Sequence, residues 1–573
     1  MTAGGEQATA KSGSVTPDPK TAGLKDAPIG PAADGSKGSA GSTGSIGSTG
    51  RRPWWVWAVP FAFLFALLCV RNRFLFTTRL YEQGDAGANS ILIEQAKHFT
   101  LLIGNYSREG FNHPGPAYLY VQAFGEYLFA DALHVVPTAW NAHMLSVFAL
   151  DSAFVALAVA VVYGWTRSLR GAAICFAVFI AFAVAYPPIV NSDWMPYMYV
   201  PTYVVFVIAA GSVVAGRSQD AWIFALAGWF LIHGQACFLF FVPVLTLATG
   251  VAVLWPHRRT LRASAGSFFR EQRRVWVPVA CISAVFALPI VLNLVLHWPG
   301  DFGKYISYGS SAQAGGHSPH QIVLYALWFW WPHRHAWLAP VLLYALALAV
   351  TYWLSRGPMR RFLFAFLAIN VVSSLAFGVY AAVGIDDLSE YYIGYFYWSA
   401  PLVTVLVVVL GSAEAIRRRP DSDSPGARGT AGSVIARRAF ALSTAAAVLA
   451  AAAAFVVLAV IPDTHANTKD IDESLPRVVA TLAARAPGQT IVLHIDHSAW
   501  VETTGFLVQA ESSGVKACVD DPRWTFMMTK QFICTPAQAA SGQAYWFYVP
   551  PVPASAAVIL RFSGVTVAPA PPP

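Results

Sequence analysis

The 573-residue chain has little charge: 12% of its residues are Asp, Glu, Lys or Arg, against 56% hydrophobic and 14% aromatic. Soluble domains carry about 25% charged residues. Half that share over so long a chain excludes an ordinary soluble enzyme and points to lipid as the solvent. Uninterrupted apolar runs of roughly 18 residues or more agree. Cysteine is scarce too, with 6 in the chain. None stands in a CxxC or Cys/His spacing of the kind a structural zinc site needs. Cys69, Cys175, Cys237 and Cys281 lie in or beside apolar segments and read as small core residues. Cys518 and Cys534 fall in a polar region and could pair in an oxidising compartment. The net charge is +8, but the Arg and Lys residues cluster in short loops between apolar segments. That pattern argues for cytoplasmic anchoring in a membrane and against nucleic acid.

What the chain does have is a series of apolar segments. Residues 1–50, ending in "GSKGSAGSTGSIGSTG", bury too little apolar surface to offset ordering and predict a disordered tail, 1–52 on the cytoplasmic side. The stretch "RRPWWVWAVPFAFLFALLCV" begins too far along for an ordinary signal peptide and reads as a first transmembrane helix, with Arg51 and Arg52 holding its start in the cytoplasm. Further spans are expected near 141–166, 172–190, 199–216, 220–236, 237–255, 275–296, 335–355, 362–383, 394–412 and 439–461, about eleven in all. If they alternate, one side receives Arg167 and Arg170, Arg217, the run from Arg258 to Arg274, Arg356, Arg360 and Arg361, and Arg417 to Arg438. The other receives Asp193, Asp301, Asp386, Asp387 and Glu390, an asymmetry that supports the alternation. Arg71, Arg73 and Arg79 break it.

The expected fold is an all-α polytopic membrane protein with a membrane domain at 53–412, a basic cytoplasmic linker at 413–438 and a last span at 439–461. A small extracytoplasmic α/β domain follows at 462–573, where "TIVLHID", "VKACVD", "YWFYV" and "AAVILRF" are strand-like and "VETTGFLVQAESSG" is helix-like. The loop between the first two spans is too long for a simple connector. In it, "NSILIEQAKHFTLLIG" places Ile91, Leu92, Ala96, Phe99 and Ile103 on one helical stripe, which predicts a helix lying on the membrane surface. After the Pro114-Gly115-Pro116 turn, "AYLYVQAFGEYLF" predicts a second such helix.

Acids against a bilayer are costly and candidates for function. Asp85, in "YEQGDAGANS", reads either as a general base or as a turn residue capping the helix that follows. Glu94 and His98, four residues apart, are either a site pair or an exposed helix pair. In "YSREGFNHPGP", Arg108 and His113 could hold a phosphate or sugar on a turn stiffened by proline. The alternative is a structural loop in which Asn112 and His113 bond backbone groups.

An acid soon after the first helix, two helices in the first loop and a "YSR-x-G-x-NHPGP" turn together resemble bacterial GT-C membrane glycosyltransferases, more narrowly a group in high-GC bacteria with this "NHPGP" signature. "NSDWMPY", "IHGQ" and "ALPIVLNLVLHWPGD" follow in the order such proteins show, so that the resemblance covers roughly 53–412. It implies a GT-C-like catalytic domain that takes a sugar from a polyprenyl-phosphate donor, at the outer face of the cytoplasmic membrane, to a glycan, lipid or protein acceptor. The first-loop acid maps to Asp85. Relatives often carry two adjacent acids there; this chain has Gly84-Asp85 with Glu82 nearby, which leaves the base open among Asp85, Glu82 and Glu94. Arg108, Asn112, His113 and His233 are candidates for phosphate or sugar contacts, and Asp193, Gln235, Asn293 and Asp301 come from other outer segments that could converge there. A divalent metal could sit between Asp85 and Asp193, though no ligand motif demands one. No organic cofactor is implied. The rival readings are a transporter or flippase of lipid-linked saccharides, against which stands the lack of an internal repeat, and a polysaccharide polymerase or ligase.

The alternation makes a direct prediction. Reporter fusions placed after Arg419 and after Asp463 should report opposite sides of the membrane; the same side for both would remove the span near 439–461.

Overall fold

The computed structural model describes residues 52–259, 270, 272–311, 316–330, 337–417 and 471–570. The expected tail, most of the basic linker and the span expected at 439–461 lie outside these residues. In chain order the helices are α1 (Trp55–Arg71), α2 (Gly84–Lys97), α3 (Ala117–Glu126), α4 (Ala139–Thr166), α5 (Leu169–Ala185), α6 (Met195–Val214), α7 (Ala221–Gly234) and α8 (Phe238–Leu254). There follow α9 (Arg273–His297), α10 (Gly300–Ser311), α11 (Pro319–Trp328), α12 (Leu338–Ala349), α13 (Gly357–Val383) and α14 (Ser399–Arg417). The C-terminal part adds α15 (Leu475–Arg485) and α16 (Trp500–Ser512).

Every span expected within the described residues is helical. Five stretches are long and apolar enough to cross a membrane: Ala139–Thr166, Met195–Val214, Arg273–His297, Gly357–Val383 and Tyr391–Ile416. Shorter apolar helices run over Trp55–Arg71, Leu169–Ala185, Phe238–Leu254 and Leu338–Leu354. Prolines stand inside several of them (Pro60, Pro201, Pro243, Pro278, Pro289), as membrane helices allow where neighbours satisfy the freed carbonyls. Helices α4 and α6 form the centre, with Val147, Phe148, Val161, Tyr203, Val204 and Phe206 fully buried. Helix α9 is peripheral and turns Val285, Leu288, Val291, Val295 and Leu296 outward.

One polar knot fixes the helix directions. Arg52 Nη2 meets Asp220 Oδ1 at 2.5 Å, Ser212 Oγ donates to Asp220 Oδ2 at 2.5 Å, and Arg217 Nη1 donates to the Gly164 carbonyl at 2.8 Å. The starts of α1 and α7 therefore lie beside the ends of α4 and α6, as alternating passage requires. Arg71, one of the residues that broke the charge pattern, is buried at the end of α1 rather than free in a loop.

The C-terminal part is the expected small α/β unit. Its five-stranded sheet has strands β1 (Ile491–Ile495), β2 (Ala517–Val519), β3 (Gln543–Tyr548), β4 (Leu560–Phe562) and β5 (Val565–Pro569), in the order β2-β1-β3-β5-β4. Strand β1 runs parallel to β2 and β3, while β5 is antiparallel to both of its neighbours. Strand β5 lies beyond "AAVILRF" and is not among the strands expected from the sequence. Cys518 and Cys534 are joined in a disulfide.

The two helices of the first loop depart from expectation. The stripe Ile91, Leu92 and Ala96 is buried as predicted, but Ala88 and Ile91 belong to the core of the C-terminal unit while Leu92, Ile93 and Ala96 belong to the membrane core. Helix α2 is thus covered on two sides instead of lying on a lipid surface. Gly87 and Gly505 let α2 and α16 touch: a Cβ on Gly505 would lie 2.7 Å from Gln83 Cβ and 2.8 Å from the Glu82 carbonyl. Helix α3 likewise buries Tyr118, Leu119, Gln122 and Ala123. Gly505→Ala should therefore cost about 1–3 kcal/mol by overpacking, read as earlier thermal unfolding and faster proteolytic release of the C-terminal unit. Unchanged stability would mean that this interface yields without cost.

Candidate functional site

Between α2 and the membrane helices lies a cavity of about 610 Å³. Its polar wall begins with Asp85, in the first turn of α2, where the helix N-terminus favours a negative charge. The Asp85 side chain does not cap the helix. Instead Trp194 Nε1 donates to Oδ2 at 2.8 Å, and the Tyr106 hydroxyl donates to Oδ1. Both oxygens of a half-buried carboxylate are therefore aimed by aromatic donors. One turn further, Asn89 also lines the cavity, and its buried Oδ1 has no hydrogen-bond partner among the described residues. Buried amide oxygens are seldom left so without a ligand or water to serve them.

Tyr106 and its neighbours come from a tight hairpin written into "GNYSREGFNH". Gly104 N donates to His113 O and His113 N to Asn105 O, each at 2.8 Å, while Ser107 N donates to Phe111 O at 2.7 Å. Gly110 closes the tip with φ +74°, a conformation glycine adopts without a Cβ penalty. The tip carries Arg108 over the cavity. Its guanidinium reaches Asp386 Oδ1 and Oδ2 at 2.5 and 2.7 Å, Glu109 at 3.1 Å and Glu390 at 3.6 Å. Burial works against ionisation of Asp386, but the Tyr308 hydroxyl and Arg108 hold it below the usual carboxylate range. Helix α10 lies over the hairpin: Lys304 donates to the Gly110 carbonyl at 2.8 Å, and the Tyr305 hydroxyl donates to that of Asn112.

The base of the hairpin is locked to the "IHGQ" stretch by an exchange of histidines. His113 Nδ1 accepts from Ala236 N at 3.3 Å, next to the start of α8. His233 Nδ1 accepts from Ala117 N at 3.2 Å, the first residue of α3. Gly115 N donates to the His233 carbonyl at 3.3 Å, and a Cβ on Gly115 would run into the His233 ring. Each imidazole thus satisfies a backbone N–H left free near a helix start. The accepting Nδ1 places the proton of neutral His113 on Nε2. Burial pushes the His113 pKa down to about 3, so the acceptor role persists in mild acid.

Of the residues singled out in the sequence, Asp85, Arg108, His113 and Gln235 line the cavity. The others do not. Glu94 faces away from it, paired with Lys97 at 2.8 Å and His98 at 3.3 Å, as an exposed helix pair would be. Asn112 is turned to the Phe526 carbonyl at 3.0 Å. Asp193 is buried against Trp140 Nε1 at 2.8 Å, where burial pushes its pKa up to about 6. His233 spends both ring nitrogens on backbone, Nε2 donating to the Phe286 carbonyl at 2.8 Å. Asn293 bonds His297 at 3.0 Å, and Asp301 pairs with Lys304 at 3.1 Å. Glu82, the alternative base, is buried and accepts from Ser90 Oγ at 2.7 Å.

Asn89, Asn105, Tyr106, Trp194, Tyr305, Tyr308 and Tyr392 line the cavity and were not singled out. The signal for Asn89 was its spacing, four residues after Asp85 on one helical face. A metal does not fit: the Asp85 and Asp193 carboxylates have separate partners, and among the described residues no group of three or more His, Cys, Asp or Glu is placed to hold an ion.

No family model matches the sequence, and no curated protein matches it. Among solved structures, the chain is similar to the crystal structure of ArnT from Cupriavidus metallidurans bound to undecaprenyl phosphate, with a TM-score of 0.44 and 14% identity over 90% of this chain and 98% of that one. A likeness at that level carries no inference about activity.

The histidine exchange yields a pH prediction. His113 is held neutral, with a folded pKa of about 3 below its ordinary 6.5. The unfolded chain therefore binds more protons between those values, and stability falls as pH drops through that window, by up to about 1.4 kcal/mol per unit. Raised Asp193 acts with the opposite sign between 3.8 and about 6, equally in wild type and variant. His113→Asn keeps an acceptor near the Nδ1 position without the titration. From pH 7 to 5 the wild type should lose about 2 kcal/mol more than this variant, followed by thermal unfolding in detergent. Equal losses would place His113 in contact with water.

Proposed function

We propose that this chain is a membrane glycosyltransferase. In this reading it moves a sugar from a polyprenyl-phosphate donor to a glycan, lipid or protein acceptor at the outer face of the cytoplasmic membrane. The N-terminus is then cytoplasmic and the C-terminal unit extracytoplasmic. The observation that carries the proposal is the two-sided character of the cavity. One wall presents Asp85, Asn89, Asn105 and Arg108; the other presents Leu239 and Phe240 from α8 and Val379 and Val383 from α13. Phe240 is itself partly exposed. A substrate with a polar head and a long apolar tail fits such a site, because each part meets its own solvent.

The chemistry follows from the polar wall. Asp85 takes the proton of the acceptor hydroxyl as its oxygen attacks C1 of the sugar. The C1–O bond to phosphate breaks, and polyprenyl phosphate leaves with that electron pair. Such general-base help is worth about 10²–10⁴-fold. Charge limits the donor. Glu109, Asp386 and Glu390 surround a single guanidinium, Arg108, which is thereby already paired, and Asp85 lines the same cavity. A phosphodiester with one negative charge is repelled less by that surplus than a pyrophosphate carrying two. Arg108 then serves the leaving phosphate by exchanging one carboxylate for another anion, with the Tyr308 hydroxyl, which donates to the same Asp386 carboxylate, beside it.

The test is transfer by purified protein from a panel of labelled polyprenyl-phosphate hexoses and pentoses. Asp85→Asn keeps size and can still accept from one aromatic donor, yet cannot take a proton. It should lower the rate by about 10²–10⁴-fold at equal expression and with donor affinity little changed. Near-normal transfer would remove Asp85 as the base. Net movement of intact donor across vesicles without release of sugar would instead favour a flippase.

A further inference from the structure

Outside the cavity, the hairpin packs against the C-terminal unit. We propose that this unit is a working part of the site: Trp500 and Phe526, acting through the Tyr106 ring, position the Asp85 carboxylate. The proposal rests on the reading of Asp85 as base and adds to it.

Tyr106 sits in an aromatic notch. Its ring centroid is 6.1 Å from that of Trp500, at 73°, and 6.1 Å from that of Phe526, at 62°. Both are edge-on arrangements that fix a ring's orientation as well as its place. The phenol so held is the one that donates to Asp85 Oδ1. Further contacts fix the same neighbourhood. Thr504 Oγ1 donates at 3.1 Å to the carbonyl of Gly84, the residue bonded to Asp85. Asn112, which pairs with Tyr106 across the hairpin, donates to the Phe526 carbonyl at 3.0 Å. Asp472 N donates at 2.9 Å to the Tyr81 carbonyl, and Ile471 bridges Glu82, on the segment leading into Asp85. Phe526 itself belongs to the loop closed by the Cys518–Cys534 disulfide, which ties it to β2. The two residues that hold Tyr106 therefore come from the segments that follow β1 and β2, and they touch the donor to Asp85, not the cavity.

A carboxylate held by one donor instead of two can turn away from the hydroxyl it must deprotonate, and misplacing a reacting group lowers kcat more than it changes substrate binding. A unit that only stabilised the fold would change how much protein is active, not the turnover of each donor-binding site.

The experiment uses the full chain in detergent and the labelled polyprenyl-phosphate sugars described above, with rates taken per donor-binding site. Tyr106→Phe should lower kcat by about tenfold with KM for the donor changed by less than about threefold. The double variant Trp500→Ala/Phe526→Ala should lower kcat in the same way, and adding Tyr106→Phe to it should cost little more. Trp500→Phe/Phe526→Tyr, which keeps both rings, should retain most of kcat. Thr504→Ala, a milder change, should give a smaller loss, and serves if the double variant does not fold. Unchanged kcat per binding site in the C-terminal variants, or a loss that adds in full to that of Tyr106→Phe, while Asp85→Asn is inactive, overturns this inference and leaves the proposed function standing. Normal turnover by Asp85→Asn overturns both.

Discussion

Two backbone N–H groups near helix starts, those of Ala236 and Ala117, are satisfied by two histidine rings that trade places. The arrangement of the outer end of the molecule depends on this exchange. A buried N–H without an acceptor costs about 1–3 kcal/mol, and here the acceptor for each segment is supplied by the segment across from it. Neither "NHPGP" nor "IHGQ" can be placed alone. Gly104 and Gly115 are glycines because the His233 backbone and ring pass where their side chains would be. Once the base of the hairpin is fixed in this way, its tip and its Tyr106 follow, and with Tyr106 one oxygen of Asp85.

A second polar system holds α2, α3 and α4 together. Lys97 meets Glu126 at 2.8 Å, and Glu126 meets His143 at 2.9 Å. Lys97 and His143 hold Glu126 ionised against its burial, with a pKa near 2. Removing one member of such a set strands a charge, at a cost of about 3–5 kcal/mol. That is reason enough for these residues to be present, and no catalytic role is needed to explain them. Asp193 belongs to the same class. It looked like a ligand because it stands between two apolar segments, yet its partner is the Trp140 indole.

Composition and periodicity made the fold legible. Apolar runs gave the helices, the placement of Arg gave their alternation, and alternating residues after 490 gave β1 and β3. The site was legible only in part, for a physical reason. Asp85, Arg108, His113 and Gln235 were found because polar residues between apolar segments are conspicuous. The same rule also selected Glu94, Asp193, His233 and Asp301, whose polar atoms are consumed by local partners. Apolar patterning does not say which polar group is already satisfied; that depends on the neighbours the fold supplies, one helical turn away for Glu94 and Asp301 and on another segment for Asp193 and His233. Tyr106 and Trp194 were missed for the converse reason, since an aromatic residue beside a membrane segment reads as packing until the acceptor of its donor is seen.

The same accounting separates the two cationic ends of the membrane domain. Arg52 and Arg217 close around Asp220 between helices, and Trp165 Nε1 donates to Ser212 at 2.7 Å within that knot. Neither Arg52 nor Arg217 lines the cavity that Asp85 opens on. At the other end Arg108 is paired just as fully, but with carboxylates that are partly exposed, on a hairpin tip and a loop. Exposed pairs are worth about 0–1 kcal/mol and exchange with little cost, whereas buried ones do not. An anion entering the cavity can therefore compete for Arg108 and not for Arg217. The difference between Arg217 and Arg108 in this fold lies in the solvent around their partners, not in the number of them.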